Sequence, residues 1–186
     1  MKYIISGTDR PDSNSLKVSE YIQSIYKKAS EEVEIIDVKD LDLNKLEGAH
    51  YGAELPKNMQ EALDKINKAE GLIFVVPEYN GSYPGALKLF IDHWSYPQSF
   101  EGRPVCFVGI GGRWGGLRPV EHLQQVFNYR NAYQFPERVF ITNVGSTLQN
   151  GDVSDSMVQG LLEKQVEGFQ RFVEALKGSG LINHVL

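Results

Sequence analysis

The first residues with chemical potential form a run of nine, Gly7-Thr8-Asp9-Arg10-Pro11-Asp12-Ser13-Asn14-Ser15, between a short apolar cluster and a helical pattern. Hydroxyls, an amide and one guanidinium converge there, where a helix start leaves N–H groups unpaired and the dipole positive. That combination suits a phosphate: Arg10 supplies charge, and Thr8, Ser13 and Ser15 supply neutral donors. The same residues also suit a plain Ser or Asp helix cap beside a surface arginine. Alone, the loop leaves both readings open. A nucleoside-triphosphate P-loop is excluded, because no Gly-Lys-Ser/Thr ending is present.

Two further loops are unusual. Pro77-Glu78-Tyr79-Asn80-Gly81-Ser82-Tyr83-Pro84-Gly85 packs two prolines, two glycines and an Asn-Gly step into nine residues. Such a stretch is a stiff, tight turn able to present backbone N–H groups and an aromatic ring to a flat heterocycle. Gly109-Ile110-Gly111-Gly112-Arg113-Trp114-Gly115-Gly116-Leu117-Arg118 lets a backbone approach a ligand closely. It is not the dinucleotide fingerprint, because Trp114 holds a position that pattern reserves for glycine.

Protein-borne catalytic groups are not apparent. There is no catalytic triad, no pair of carboxylates at a readable spacing and no metal-ligand cluster, so no catalytic or metal residue is assigned. His50, His93, His122 and His184 are scattered, with His93 and His122 expected on helix surfaces or interfaces. Cys106 lies in an apolar strand and is expected in the core.

The elements that must position these loops follow from periodicity. Short β-branched clusters at Tyr3–Ile5, Val33–Ile36, Leu72–Val76, Val105–Val108 and Val139–Ile141 read as buried parallel strands. Between and after them run helical patterns at Leu16–Ala29, Met59–Ala69, Leu87–Trp94, Leu117–Phe127 and Met157–Leu176. Five strands alternating with five helices predict an α/β fold, one parallel sheet covered on both faces. In such sheets ligands bind beyond the carboxyl ends of the strands, where all three loops lie. Asp37–Pro56 is expected to be an irregular connection, and no linker divides the chain, so residues 1–186 are expected to form one domain.

Composition sets the outer bounds. The 186 residues are 41% apolar and 23% charged, ordinary for one soluble core. Nineteen basic against twenty-four acidic residues, a net charge of −5, disfavour nucleic acid as a partner. No apolar run approaches the roughly 20 residues needed to span a bilayer, and no secretory segment is visible, so no membrane partner is expected. A single cysteine forms no internal disulfide, and a reducing cytoplasm is the expected location.

The three loops together resemble the NADPH-dependent FMN reductase family, a flavodoxin-like group that includes quinone, azo-dye and chromate reductases. Its Gly-Ser/Thr-x-Arg-x-x-Ser-x-Ser/Asn motif is similar to Gly7-Thr8-x-Arg10-x-x-Ser13-x-Ser15. Its Pro-Glu-Tyr-Asn-x-Ser-x-Pro-Gly-x-Leu-Lys motif is matched nearly residue for residue from Pro77 to Lys88, and its Gly-Gly-x-x-Gly-Gly turn by Gly111 to Gly116. The similarity runs over almost the whole chain, including the Asn150-Gly151-Asp152 turn. Departures are Asp9 beside the expected phosphate, Tyr83 at a usually aliphatic position and the bulky Trp114.

The resemblance implies a flavodoxin-like three-layer sandwich with strand order 2-1-3-4-5. It implies an enzyme that passes hydride from NADPH or NADH through bound FMN to a small acceptor such as a quinone. Thr8, Arg10, Ser13, Asn14 and Ser15 would then hold the FMN phosphate. Pro77, Glu78, Tyr79, Asn80 and Gly81 would line the isoalloxazine ring, with Gly111, Gly112 and Arg113 at its pyrimidine edge. A homodimer or homotetramer is also implied, in which a neighbour shapes the site. Tyr79, Tyr83, Trp94, Trp114 and Tyr129 would either build an aromatic wall for flat acceptors or pack in core and interface. The alternatives are a flavodoxin-like electron carrier and a binding module of the same fold without cofactor.

Overall fold

Successive side chains of a strand point to opposite faces of its sheet, and in the central strand both faces are buried. Leu72, Phe74 and Val76 of β3 (Gly71–Pro77) join one core cluster, while Ile73 and Val75 join another. The computed structural model describes residues 1–46, 54–149 and 152–182. In chain order its first elements are β1 (Lys2–Ser6), α1 (Asn14–Lys28), β2 (Val33–Asp37) and α2 (Lys57–Asn67). After β3 come α3 (Gly85–Asp92), β4 (Pro104–Ile110), α4 (Leu117–Tyr129), β5 (Tyr133–Gln134) and β6 (Val139–Ile141). The chain ends with α5 (Val144–Thr147), β7 (Leu148–Gln149), β8 (Asp152–Val153) and α6 (Ser156–Gly178).

The main sheet is wholly parallel, with order β2-β1-β3-β4-β5 and β6 also paired to β4. This is the flavodoxin-like arrangement expected from the sequence. Helices α2, α3 and α4 cover one face through Met59, Leu63, Ile66, Leu87, Phe90, Val120, Leu123 and Phe127. Helices α1 and α6 cover the other through Val18, Ile22, Tyr26, Leu162, Val166, Phe169 and Val173. Among the described residues, no helix is long and apolar enough to cross a membrane.

The fifth sheet position differs from the single strand expected at Val139–Ile141. It is filled by two pieces: β5 pairs with Pro104 and Val105, and β6 with Val108 to Ile110. Phe107 lies opposite the gap, and its carbonyl accepts instead from the buried Gln165 amide of α6 at 3.0 Å. The same amide donates to the Glu137 carbonyl at 2.9 Å, so one side chain patches the broken edge. The expected irregular connection contains two 3-10 turns, Val38–Asp40 and Leu43–Lys45. Residues 47–53, 150–151 and 183–186, which include His50, Asn150, Gly151 and His184, lie outside the described residues.

Candidate functional site

The chain leaves β1 and β3, neighbours in the sheet, toward helices on opposite faces, and a crevice opens between the two exits. A cleft of about 500 Å³ occupies it. Arg10, Pro11, Asp12, Ser13, Asn14 and Ser15 line one part, and Pro77, Glu78, Tyr79, Ile110, Gly111, Gly112 and Val144 the rest. Nine of these thirteen are sequence-predicted site residues. Of the others predicted, Thr8, Asn80, Gly81 and Arg113 are not among the lining residues.

The first loop caps a helix and leaves donors free around the cap. Ser13 is the N-cap of α1, its Oγ accepting from the Leu16 N–H at 3.1 Å. Its own O–H is still free to donate, as are the N–H groups of Asn14 and Ser15 in the first helical turn. Ser15 Oγ is buried with no hydrogen-bond partner among the described residues. A buried hydroxyl left without a partner costs about 1–3 kcal/mol, and Ser15 is the one such residue among those described that lines the cleft, where a ligand oxygen can be its partner. Thr8 sits behind this wall, buried, its Oγ1 accepting from the Arg10 N–H at 3.3 Å.

The second loop turns on Asn80 and Gly81, with φ of 51° and 78°. Two adjacent left-handed residues are what a tight two-residue hairpin needs, and the Asn-Gly step provides them cheaply. Reciprocal bonds close it: Tyr79 N–H to the Ser82 carbonyl at 2.8 Å and Ser82 N–H to the Tyr79 carbonyl at 3.0 Å. Helix α4 braces both flanks of the turn. Arg118 pairs with Glu78 at 3.2 Å, and one turn further on His122 Nδ1 lies 3.0 Å from Ser82 Oγ.

The third loop folds back on β4. A Cβ on Gly109 would lie 2.6 Å from the Gly115 carbonyl and 2.7 Å from that of Gly116, closer than any side chain tolerates. A Cβ on Gly112 would meet nothing within 4 Å. The loop is held from the chain after β6: Asn143 N–H donates to the Gly112 carbonyl and Val144 N–H to that of Gly111. The Gly111 N–H is engaged by Ile141 and that of Ser82 by Tyr79. The N–H groups of Asn80, Gly81, Gly112 and Arg113 have no acceptor among the described residues.

Sequence reasoning missed Pro11, Asp12, Ile110 and Val144 as lining residues. Asp9 is not among the lining residues; the carboxylates there are Asp12 and the expected Glu78. The aromatic wall does not form as a unit. Trp94 is 2% exposed, packed with Phe74, Phe90, Phe100 and Phe127, while only Tyr79 of the five lines the cleft. Cys106 is buried, and burial pushes its thiol well above the ordinary range, so it is no nucleophile.

These residues fit a flavin mononucleotide. The cleft volume lies within the roughly 300–1,000 Å³ usual for small-molecule sites. A guanidinium, unpaired N–H groups and an orphaned hydroxyl stand at one helix start, beside a wall of Pro77, Tyr79 and Ile110. A parallel five-position sheet of order 2-1-3-4-5 with a crevice at its switch point defines the flavodoxin-like class of doubly wound folds. Within it, residues 3–146 match the model of the NADPH-dependent FMN reductase family, and the chain belongs to that family. FMN and NAD(P)H are the cofactors of this family's chemistry.

Relatives agree with this placement. An NAD(P)H-dependent FMN reductase of Pseudomonas aeruginosa is 29% identical over 180 residues, covering 94% of this chain and 95% of its own. An FMN-dependent NADPH-azoreductase of Staphylococcus aureus is 30% identical over 126 residues, 66% of each chain. The solved structure of FerB, a flavoenzyme NAD(P)H:(acceptor) oxidoreductase from Paracoccus denitrificans, shares the fold with a TM-score of 0.74 at 23% identity. It covers 94% of this chain and 97% of that one.

Proposed function

We propose that this chain is an FMN-dependent NAD(P)H oxidoreductase that delivers reducing equivalents to a small flat acceptor of quinone type. The observation that carries the reading is the orphaned Ser15 hydroxyl, buried beside Arg10 at the start of α1 in a cleft of FMN size. When bound, FMN supplies the exchange of two electrons between a nicotinamide donor and the acceptor. The protein supplies placement, charge and exclusion of water.

Arg10, Ser13, Asn14 and Ser15 are assigned to the phosphate, the guanidinium giving charge and the others neutral donors. Thr8 supports them from behind through its bond to the Arg10 N–H. Pro77, Glu78, Tyr79, Gly111 and Gly112 are assigned to the ring. The N–H groups of Asn80, Gly81 and Gly112 are donors available to ring heteroatoms, where fixed dipoles favour developing negative charge. The family resemblance also supports a homodimer or homotetramer, and the single buried Cys106 is consistent with a reducing cytoplasm.

The test is anaerobic addition of NADPH to the FMN-loaded protein. The visible flavin absorbance should bleach, then return when a quinone is added. Flavin that stays oxidised under NADPH would overturn the reading in favour of an electron carrier.

A further inference from the structure

Two guanidinium groups near the cleft have no carboxylate partner among the described residues: Arg10, which lines it, and Arg113, which directly follows the lining residue Gly112. The neighbouring Arg118 differs, being neutralised by Glu78 at 3.2 Å. The Arg113 guanidinium carbon lies 4.9 Å from the centroid of the Trp114 ring, and that of Arg118 lies 5.7 Å from it. Trp114 is 48% exposed, whereas the other tryptophan, Trp94, is 2% exposed.

Folding explains only part of this. An indole left half in water forgoes burial worth about 25 cal/mol per Å², and its exposed cation–π contacts with the two arginines return only a part of that. Joined at the lip of the cleft they become a recognition surface. Indole offers a stacking plane for a base, and guanidinium offers a planar fork of donors for a phosphate. A base and a phosphate monoester that must be met within a few ångströms of each other are carried on one ribose by a phosphorylated adenosine.

We propose that Arg113 and Trp114 form the docking point for the adenosine 2′-phosphate end of NADPH, the guanidinium taking the phosphate and the exposed indole taking the purine. The inference rests on the oxidoreductase reading and adds to it a residue basis for preferring NADPH over NADH. It also gives Arg113 a role other than the flavin pyrimidine edge, since its side chain stacks on Trp114 and is absent from the cleft lining. Because the group is exposed, the preference weakens as salt rises.

The test is calorimetric titration of the FMN-saturated protein with 2′,5′-ADP and, separately, with 5′-AMP. Wild type should bind 2′,5′-ADP at least about tenfold more tightly, a difference of about 1.4 kcal/mol. Arg113→Ala should bring the two nucleotides within about twofold of each other, Arg113→Lys should recover part of the gap, and Trp114→Ala should weaken both. FMN affinity should be the same in Arg113→Ala as in wild type. Equal binding of the two nucleotides by wild type, a preference that survives Arg113→Ala, or FMN lost from that variant overturns the proposal. Failure of the oxidoreductase reading looks different: NADPH then leaves the flavin oxidised, while the nucleotide titration still decides the docking point.

Discussion

The Tyr79 hydroxyl lies 2.9 Å from Thr8 Oγ1, joining the loop after β3 to the loop after β1 across the crevice of the sheet. Thr8 is buried, and through its oxygen it also receives the Arg10 N–H. The tyrosine assigned to the ring is therefore coupled to the loop proposed to hold the phosphate.

Tyr79→Phe should weaken FMN binding by about three- to tenfold, the worth of one partly buried hydrogen bond. Thr8→Val should do the same. The double variant should be scarcely worse than either, because both remove one shared interaction. Fluorescence titration with FMN gives all four affinities, and strictly additive losses would show that the two residues act separately.

Ser15→Ala separates binding from stability. The hydroxyl has no partner within the described protein, so its removal should leave the flavin-free chain equally stable or slightly more so. FMN affinity should fall by about tenfold as one donor to the phosphate is lost. Urea unfolding without flavin, set beside FMN titration, checks both halves. A clear loss of stability without flavin would mean that the hydroxyl serves the fold.

The glycines of the third loop should not be equivalent. Gly109→Ala forces a methyl against two carbonyl oxygens and should cost about 1–3 kcal/mol. For a chain of this size that lowers Tm by about 2–4 °C per kcal/mol. Gly112→Ala faces open space and should unfold like wild type. Thermal unfolding of both variants without flavin decides.

Acid should weaken a clasp at the other end of the sheet. Lys177 lies 2.7 Å from Glu70 and the Met1 amine 3.0 Å from it, and these partners, the lysine hydrogen bond first, hold the Glu70 carboxyl down to about 2. A carboxyl lowered on folding stabilises fully above its ordinary value of 4.5 and loses that contribution as pH falls toward 2. Lys177, raised first by the same hydrogen bond, stabilises below its ordinary 10.5 and loses its share above it. Glu70→Gln should therefore be less stable than wild type at pH 7, with the gap closing between about pH 4 and pH 2. Denaturant midpoints across that range measure it.

Much of this was legible because buried parallel strands announce themselves as apolar runs. β1, β3 and β4 are buried along their whole length, and their helices carry one clear apolar face each. β5 was not legible: Tyr133 and Gln134 are half-buried, and Phe135-Pro136-Glu137-Arg138 then breaks the pattern. What closes that gap is Gln165, about thirty positions away, where no local pattern can signal it. In the cleft, Arg10, Ser13, Asn14 and Ser15 were readable because a helix start makes their chemistry local. Val144 was not, since it reaches the site only by donating its N–H to Gly111 from beyond β6. For Trp94 the sequence left core packing and a ligand wall both open, because periodicity alone does not tell a core aromatic from one lining a site; its burial decides for the core.

The central claim is that the start of α1 grips the phosphate of a flavin. The direct measurement is equilibrium titration of the flavin-free protein with FMN and with riboflavin, which differ only in that phosphate. FMN should bind at least about a hundredfold more tightly, roughly 2.7 kcal/mol, and Arg10→Ala should remove a large part of the difference. Equal affinity for the two flavins, or a preference for FMN that Arg10→Ala leaves untouched, would contradict it.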